Sequence, residues 1–235
     1  MIKSKKLSEF KKIKHAFFNR MGGKSTGIFK SLNCGLGSSD KKNNIKKNFE
    51  IVGNKIKVKP KKIVLLNQVH SSKFHYISKH SDLNNKLEGD ALITDRKGIP
   101  IAVLTADCAP ILIYDKNKEM IATIHAGWKG AYKDIIKKVI KFMIKKGCSP
   151  KNITAAIGPC ISSKNYQVRE DFIKKFTEKD KKNIIFFKRT KNKYYFNLNK
   201  YIQFQLKSLN IKKIDIIHKD TFNAKNNFFS ARRSI

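Results

Sequence analysis

The chain has 235 residues, 40% of them hydrophobic and 16 of them Phe, enough for a sizeable core without disulfide support. No apolar run approaches the ~20 residues that cross a bilayer, and the basic start MIKSKKLSEFKKIKHAFF lacks the roughly 7–15-residue apolar stretch of a signal peptide. A net charge of +35 raises nucleic-acid binding, yet of the 52 basic residues 46 are Lys and 6 are Arg, whereas phosphate and base-edge readers lean on the Arg fork.

Lysine is spread over almost the whole chain and thins only between Leu87 and Asp115. Joint abundance of Lys, Asn and Ile is what an A/T-rich coding sequence produces by drift. Solvated surface lysines follow, with salt-sensitive adhesion to nucleic acid but no specific nucleic-acid partner and no membrane. Cys34, Cys108, Cys148 and Cys160 show no compact spacing and read as thiols of a cytoplasmic protein.

In chain order, a helix is predicted over 44–52. Short, β-branched apolar runs at 63–69, 91–94, 101–105, 111–114 and 121–124 then have strand length and composition. A helix over 134–146 places Ile135, Ile136, Val139, Ile140 and Met143 on one stripe, with lysines in its last turn and Gly147 as its stop. A strand over 153–157, helices over 170–176 and 200–209, and a strand over 214–217 complete the pattern. No repeat or linker divides the chain. The expectation is a single domain over 1–235 of α/β (α+β) class, a central mixed sheet covered by helices.

Three potential metal ligands share one positional logic. His70 follows the run 63–69, Cys108 follows 101–105 by a short Ala106-Asp107 step, and His125 follows 121–124. Residues past strand ends converge where loops gather at one edge of a sheet. Two imidazoles and a thiolate suit Zn²⁺, and also copper, and three protein ligands leave an open fourth position. No short ligand motif ties the three together, so ordinary core or surface His and Cys stay open at this point.

Longer motifs surround them. Gln68-Val69-His70, Thr105-Ala106-Asp107-Cys108-Ala109-Pro110, His125-Ala126-Gly127-Trp128-Lys129-Gly130 and Ile157-Gly158-Pro159-Cys160-Ile161 occur in that order. The head carries His15-Ala16-Phe17, Arg20-Met21-Gly22-Gly23-Lys24-Ser25 and Ser31-Leu32-Asn33, and the tail Phe228-Phe229-Ser230-Ala231-Arg232-Arg233. Together they resemble the YfiH/laccase-domain family, once described as multicopper polyphenol oxidases and now as purine nucleoside phosphorylases. The likeness spans nearly the whole chain, and HAGWKG with ADCAP is highly specific. Two departures stand out: Asp220-Thr221 where the family commonly has Cys-Thr, and Ala231 for the Tyr of its FFSYRR motif.

In that family the His of QVH, the Cys of ADC and the His of HAGW bind zinc, which implies His70, Cys108 and His125 as ligands here. The resemblance also implies phosphorolysis of adenosine, inosine or 5′-methylthioadenosine by a monomer or homodimer, with adenosine deamination as a side activity. Some relatives are described as peptidoglycan-editing factors, so an amide hydrolase using Cys108 with a histidine is the alternative. A phenol oxidase with several copper centres needs more than the six His of this chain.

Around the ligands, Gly127 and Gly130 flank Trp128 ahead of a helix expected to start near Tyr132, where N–H groups favour an anion and Lys129 adds charge. Trp128 either stacks on a purine or packs that helix onto the sheet. Arg20 is a candidate phosphate fork. Asn33 and Gln68 contact substrate or hydrogen-bond within the fold. Asp107 acts as a general base, orients a ligand histidine, or pairs with backbone N–H groups in a turn. Cys160 packs or supports the ligands, Asp90 and Thr94 serve the fold, and His75, His80 and His218 have no evident partner.

Overall fold

Six strands form the central sheet of the computed structural model, which describes residues 1–78 and 87–234. The expected His80 lies outside them. In chain order the elements are α1 (Lys5–Ser8), α2 (Lys42–Ile56), β1 (Phe74–Tyr76), β2 (Ala91–Thr94), β3 (Ala109–Asp115), β4 (Met120–Ala126), α3 (Trp128–Tyr132) and α4 (Ile135–Lys145). They continue with β5 (Ile153–Ile157), β6 (Gln167–Val168), α5 (Glu170–Lys179), β7 (Phe187–Thr190), β8 (Lys193–Phe196), α6 (Leu198–Ser208) and β9 (Lys213–Ile216). The sheet order is β1-β2-β4-β3-β5-β9, and a small second sheet runs β6-β8-β7. The central sheet is mixed, as expected: β1–β2 and β5–β9 are parallel and the other pairs antiparallel.

Both faces of this sheet are covered, which is why its strands read as continuous apolar runs rather than alternating ones. Ile93, Ile111, Ile113, Ala155 and Ile157 face the larger core with α4, while Tyr114 and Ala156 face Leu7 of α1 and Phe17. The α4 stripe of Ile135, Ile136, Val139, Ile140 and Met143 is wholly buried. Each such side chain contributes roughly 1.5–3 kcal/mol, so a charge at Val139 would detach the helix. Gly147 stops α4 at φ +90°, a left-handed turn open to glycine. No helix among the described residues is long and apolar enough to cross a membrane.

Two expected strands are absent. Residues 63–69 and 101–105 run beside each other through the single parallel bridge Val64–Ile101. Pro100 lacks the N–H that would extend the ladder on that side, although its carbonyl accepts from Val64 N–H at 2.8 Å. The Gln68 side chain takes over, its amide donating to the Leu104 carbonyl at 2.7 Å and accepting the Leu104 N–H at 2.8 Å. The chains that deliver His70 and Cys108 are therefore side-chain-clamped segments rather than strands.

Candidate metal centre

The antiparallel register of β3 and β4 sets Pro110 opposite His125 and Ala109 opposite Ala126. Cys108 therefore sits just before β3 and His125 lies inside β4, near its end. The expectation that both trail strand ends is corrected: antiparallel pairing brings the start of one strand to the end of the other. His70 joins them from a residue at φ +56°, a left-handed conformation uncommon for a non-glycine.

The ligand atoms of His70, Cys108 and His125 all lie within 4.8 Å of one another, with Cys108 Sγ 3.8 Å from His70 Nε2. The two imidazoles meet edge to face, centroids 4.8 Å apart. Tetrahedral ligands at about 2.0–2.3 Å from one ion stand about 3.3–3.7 Å apart, so a small inward motion closes this set. The space is kept by Gly127: a Cβ there would lie 2.7 Å from Cys108 Sγ and 3.2 Å from His70 Cδ2. The donor set and the space both fit a metal ion.

Asp90 holds the two histidines. Its Oδ1 is 2.8 Å from His125 Nδ1 and accepts the His70 backbone N–H at 3.0 Å, while Oδ2 accepts the Ser71 N–H and hydroxyl at 2.6 and 2.7 Å. Burial pushes this carboxyl upward, but hydrogen bonds from His125 and Ser71 outweigh it and hold it at about 2. The carboxylate fixes the His125 proton on Nδ1 and leaves Nε2 as a lone-pair donor. Burial, then the neighbouring His125, lowers the His70 imidazole, which favours its neutral, ligating form. Burial, reinforced by Asp107 and Asp90, pushes the Cys108 thiol up to about 12.

A cavity of about 450 Å³ is lined by Trp128, Tyr166, Phe172, Arg169, Lys175 and Arg232 among others. Trp128 follows Gly127 directly, and burial, then the neighbouring Cys108, pushes the Tyr166 hydroxyl up. Aromatic rings and cations thus line a cavity whose Trp128 is next in sequence to the glycine that keeps the ligand space.

The sequence from residue 14 to 235 matches the family described as multi-copper polyphenol oxidoreductase laccase. The chain belongs to this family. Among relatives of this laccase-type protein, one named purine nucleoside phosphorylase from Rickettsia conorii is 35% identical over 83% of this chain and 82% of its own. Another of that name from Bacteroides thetaiotaomicron is 31% identical over 99% and 91%. The crystal structure of Bacillus licheniformis hypothetical protein YfiH superposes with a TM-score of 0.86 at 28% identity, covering 92% of this chain and 85% of that one.

The other expected residues of this laccase-family chain divide by what they touch. Trp128 packs edge-on against Phe172 of α5, centroids 4.9 Å apart, and lines the cavity. The helix expected near Tyr132 starts earlier, as the five-residue α3 capped by Gly127, and Gly130 lets it approach the Ser71 carbonyl. Lys129 Nζ lies 5.8 Å from the Trp128 ring centroid. Arg20 donates Nε to the Lys30 carbonyl and stacks over Phe229. The Asn33 amide bonds Ser38, Asp40 and Gly35 within its own loop. Gln68 is the clamp on Leu104 described above.

Of the roles expected for Asp107, the structure shows hydrogen bonding: its carboxylate accepts from Thr221 Oγ1 at 2.6 Å, Ser230 Oγ at 2.9 Å and the Arg232 backbone N–H at 2.7 Å, and it bonds neither His70 nor His125. Asp90, read from sequence as serving the fold, does the orienting. The available signal was position: Gly89-Asp90 opens the strand 91–94 at the same sheet edge as His125. Tyr166 and the Arg232 side chain were also missed, since neither sits in a motif with an evident role. Asp220, where the family commonly has Cys, accepts from Ser162 N–H and Oγ, Asn165 Nδ2 and Phe222 N–H, binding the tail to the Cys160 loop.

Proposed function

We propose that this protein is a zinc-dependent purine nucleoside phosphorylase, taking adenosine, inosine or 5′-methylthioadenosine with phosphate to the free base and ribose 1-phosphate. One observation carries the reading: His70, Cys108 and His125 bring their donor atoms within 4.8 Å of one another around Gly127, and the next residue, Trp128, lines a cavity of aromatic rings and cations. The names of the relatives support the same reaction.

His70, Cys108 and His125 would hold the ion, a borderline-soft donor set that suits zinc and also accepts copper. Bound zinc supplies a Lewis acid and lowers the pKa of a bound water, chemistry that extends to adenosine deamination. The protein's own part is positional. Trp128, Tyr166 and Phe172 offer ring faces to a purine, and Arg169, Lys175 and Arg232 offer charge to phosphate. Holding both reactants in one cavity lowers the barrier to a transition state of oxocarbenium character.

A Cys108–histidine pair that cleaves amides is less well supported. Burial, reinforced by Asp107 and Asp90, pushes the Cys108 thiol up, whereas a metal-free nucleophilic cysteine needs a depressed pKa. A multicopper oxidase needs several centres, and one three-ligand cluster is present among the described residues. The test is product analysis: zinc-loaded protein with adenosine and phosphate yields adenine and ribose 1-phosphate. Release of neither adenine, hypoxanthine nor inosine overturns the reading.

A further inference from the structure

The two adjacent arginines of the tail do different work. Arg233 spends its guanidinium on three backbone carbonyls, of Thr221, Phe222 and Phe228, and so closes the loop between them. Arg232 does not. It lines the cavity, its Nη1 donates to the Gln167 carbonyl at 3.0 Å, and its guanidinium carbon lies 5.5 Å from the Tyr166 ring centroid. Among the described residues no other acceptor and no carboxylate meets it. Nε and Nη2 therefore remain as free donors of a planar fork, the geometry that grips a tetrahedral oxyanion.

Its surroundings agree. Lys175 and Arg169 line the same cavity, and the one carboxylate there, Asp171, accepts the N–H of its own neighbour Phe172 at 2.9 Å. The backbone of Arg232 is tied to the metal cluster through Asp107, which occupies φ +86° immediately before Cys108. Its carboxylate gathers Thr221, Ser230 and Arg232 from the tail onto the loop that carries the thiol.

We propose that Arg232 binds the phosphate co-substrate through this free edge, and that Asp107 is the positioning residue that sets it beside Cys108. The assignment rests on the phosphorylase reading and moves the anion site from Arg20 and Lys129 to the tail. Arg232→Met removes the fork, Arg232→Lys keeps only the charge, and Ser230→Ala loosens the anchor without touching Asp107 itself.

With adenosine saturating and phosphate varied, Arg232→Met raises the phosphate KM about 10- to 100-fold, the scale of charge-assisted hydrogen bonds lost. The adenosine KM and the zinc content stay at wild-type values, and Arg232→Lys recovers part of the loss. Ser230→Ala raises the phosphate KM less, and its effect disappears in the Arg232→Met background because both act through one group. An unchanged phosphate KM in Arg232→Met overturns the assignment, and full additivity in the double variant overturns the positioning role. Phosphate binding followed by ³¹P NMR separates this from the reaction itself. If wild type releases no base yet binds inorganic phosphate and Arg232→Met does not, the phosphorylase reading fails and the anion site stands. If both bind phosphate equally, the anion site fails.

Discussion

Asp90 Oδ1 lies 2.8 Å from His125 Nδ1 and also accepts the backbone N–H of His70, so one carboxylate oxygen sets both histidines. The contact is expected to make metal affinity depend on a residue outside the three candidate ligands. Replacing Asp90 by Asn keeps the shape but turns half of the carboxylate into a donor facing donors. Zinc affinity is expected to fall about 10–100-fold, read by competition against a chromophoric chelator. Wild-type affinity in Asp90→Asn would show that the histidines are held by packing alone.

Gly127 has an ordinary φ of −72°, so a side chain there meets no backbone strain. The obstacle is local: a Cβ would stand 2.7 Å from Cys108 Sγ. Gly127→Ala is therefore expected to lose most bound zinc while the metal-free melting temperature drops by only a few degrees, on the order of 1 kcal/mol. Metal content and calorimetry of the same preparation check it. A variant that keeps full zinc refutes the crowding.

Removing the metal is expected to abolish base release, and zinc to restore it. Cobalt in the emptied protein provides a second readout, a sulfur-to-cobalt charge-transfer absorption that Cys108→Ser lacks. Phosphorolysis that persists in chelator-treated protein of verified zero metal content counts against a metal role.

The N-terminal segment carries a pH dependence of its own. Burial lowers the His15 imidazole, whose Nε2 accepts the Ser4 N–H at 3.0 Å, a bond open only to the unprotonated nitrogen. A depressed histidine binds its proton more readily in the unfolded chain, so its contribution is complete above about pH 6.5 and falls as pH drops below it. Asp215, which accepts the Ser4 hydroxyl at 2.6 Å, is pushed up by burial but carried below its ordinary range by hydrogen bonds from Ser4, Lys6 and Lys5. Its contribution is present above its ordinary value and disappears in more acid solution. Urea melts across this range are expected to show stability falling first near neutral pH and again in acid. His15→Asn should shrink the first fall, which the likewise lowered His70 shares, and keep the second, and an unchanged profile contradicts the assignment.

Much of the fold was legible because it rests on local pattern. The helices at 44–52, 134–146, 170–176 and 200–209 and five of the seven strands appear within a few residues of their expected places. Two others fail for a nameable reason. The runs at 63–69 and 101–105 have strand composition, yet Pro100 and the Gln68 clamp leave them as paired extended chain. The short strands Phe74–Tyr76, Gln167–Val168, Phe187–Thr190 and Lys193–Phe196 escaped because two to four residues carry too little periodicity to stand out.

The sequence by itself determined the family, the mixed sheet, and the three residues whose donor atoms could meet, since chemistry-bearing side chains and apolar period are both properties of the linear chain. Only the tertiary structure decided who serves them. Asp90 reaches His125 across paired strands, Asp107 is occupied by a tail more than a hundred residues away, and Arg232 rather than Arg233 keeps a free edge. Each of these is a competition among donors for one acceptor, or acceptors for one donor. The outcome depends on distances that chain folding alone creates.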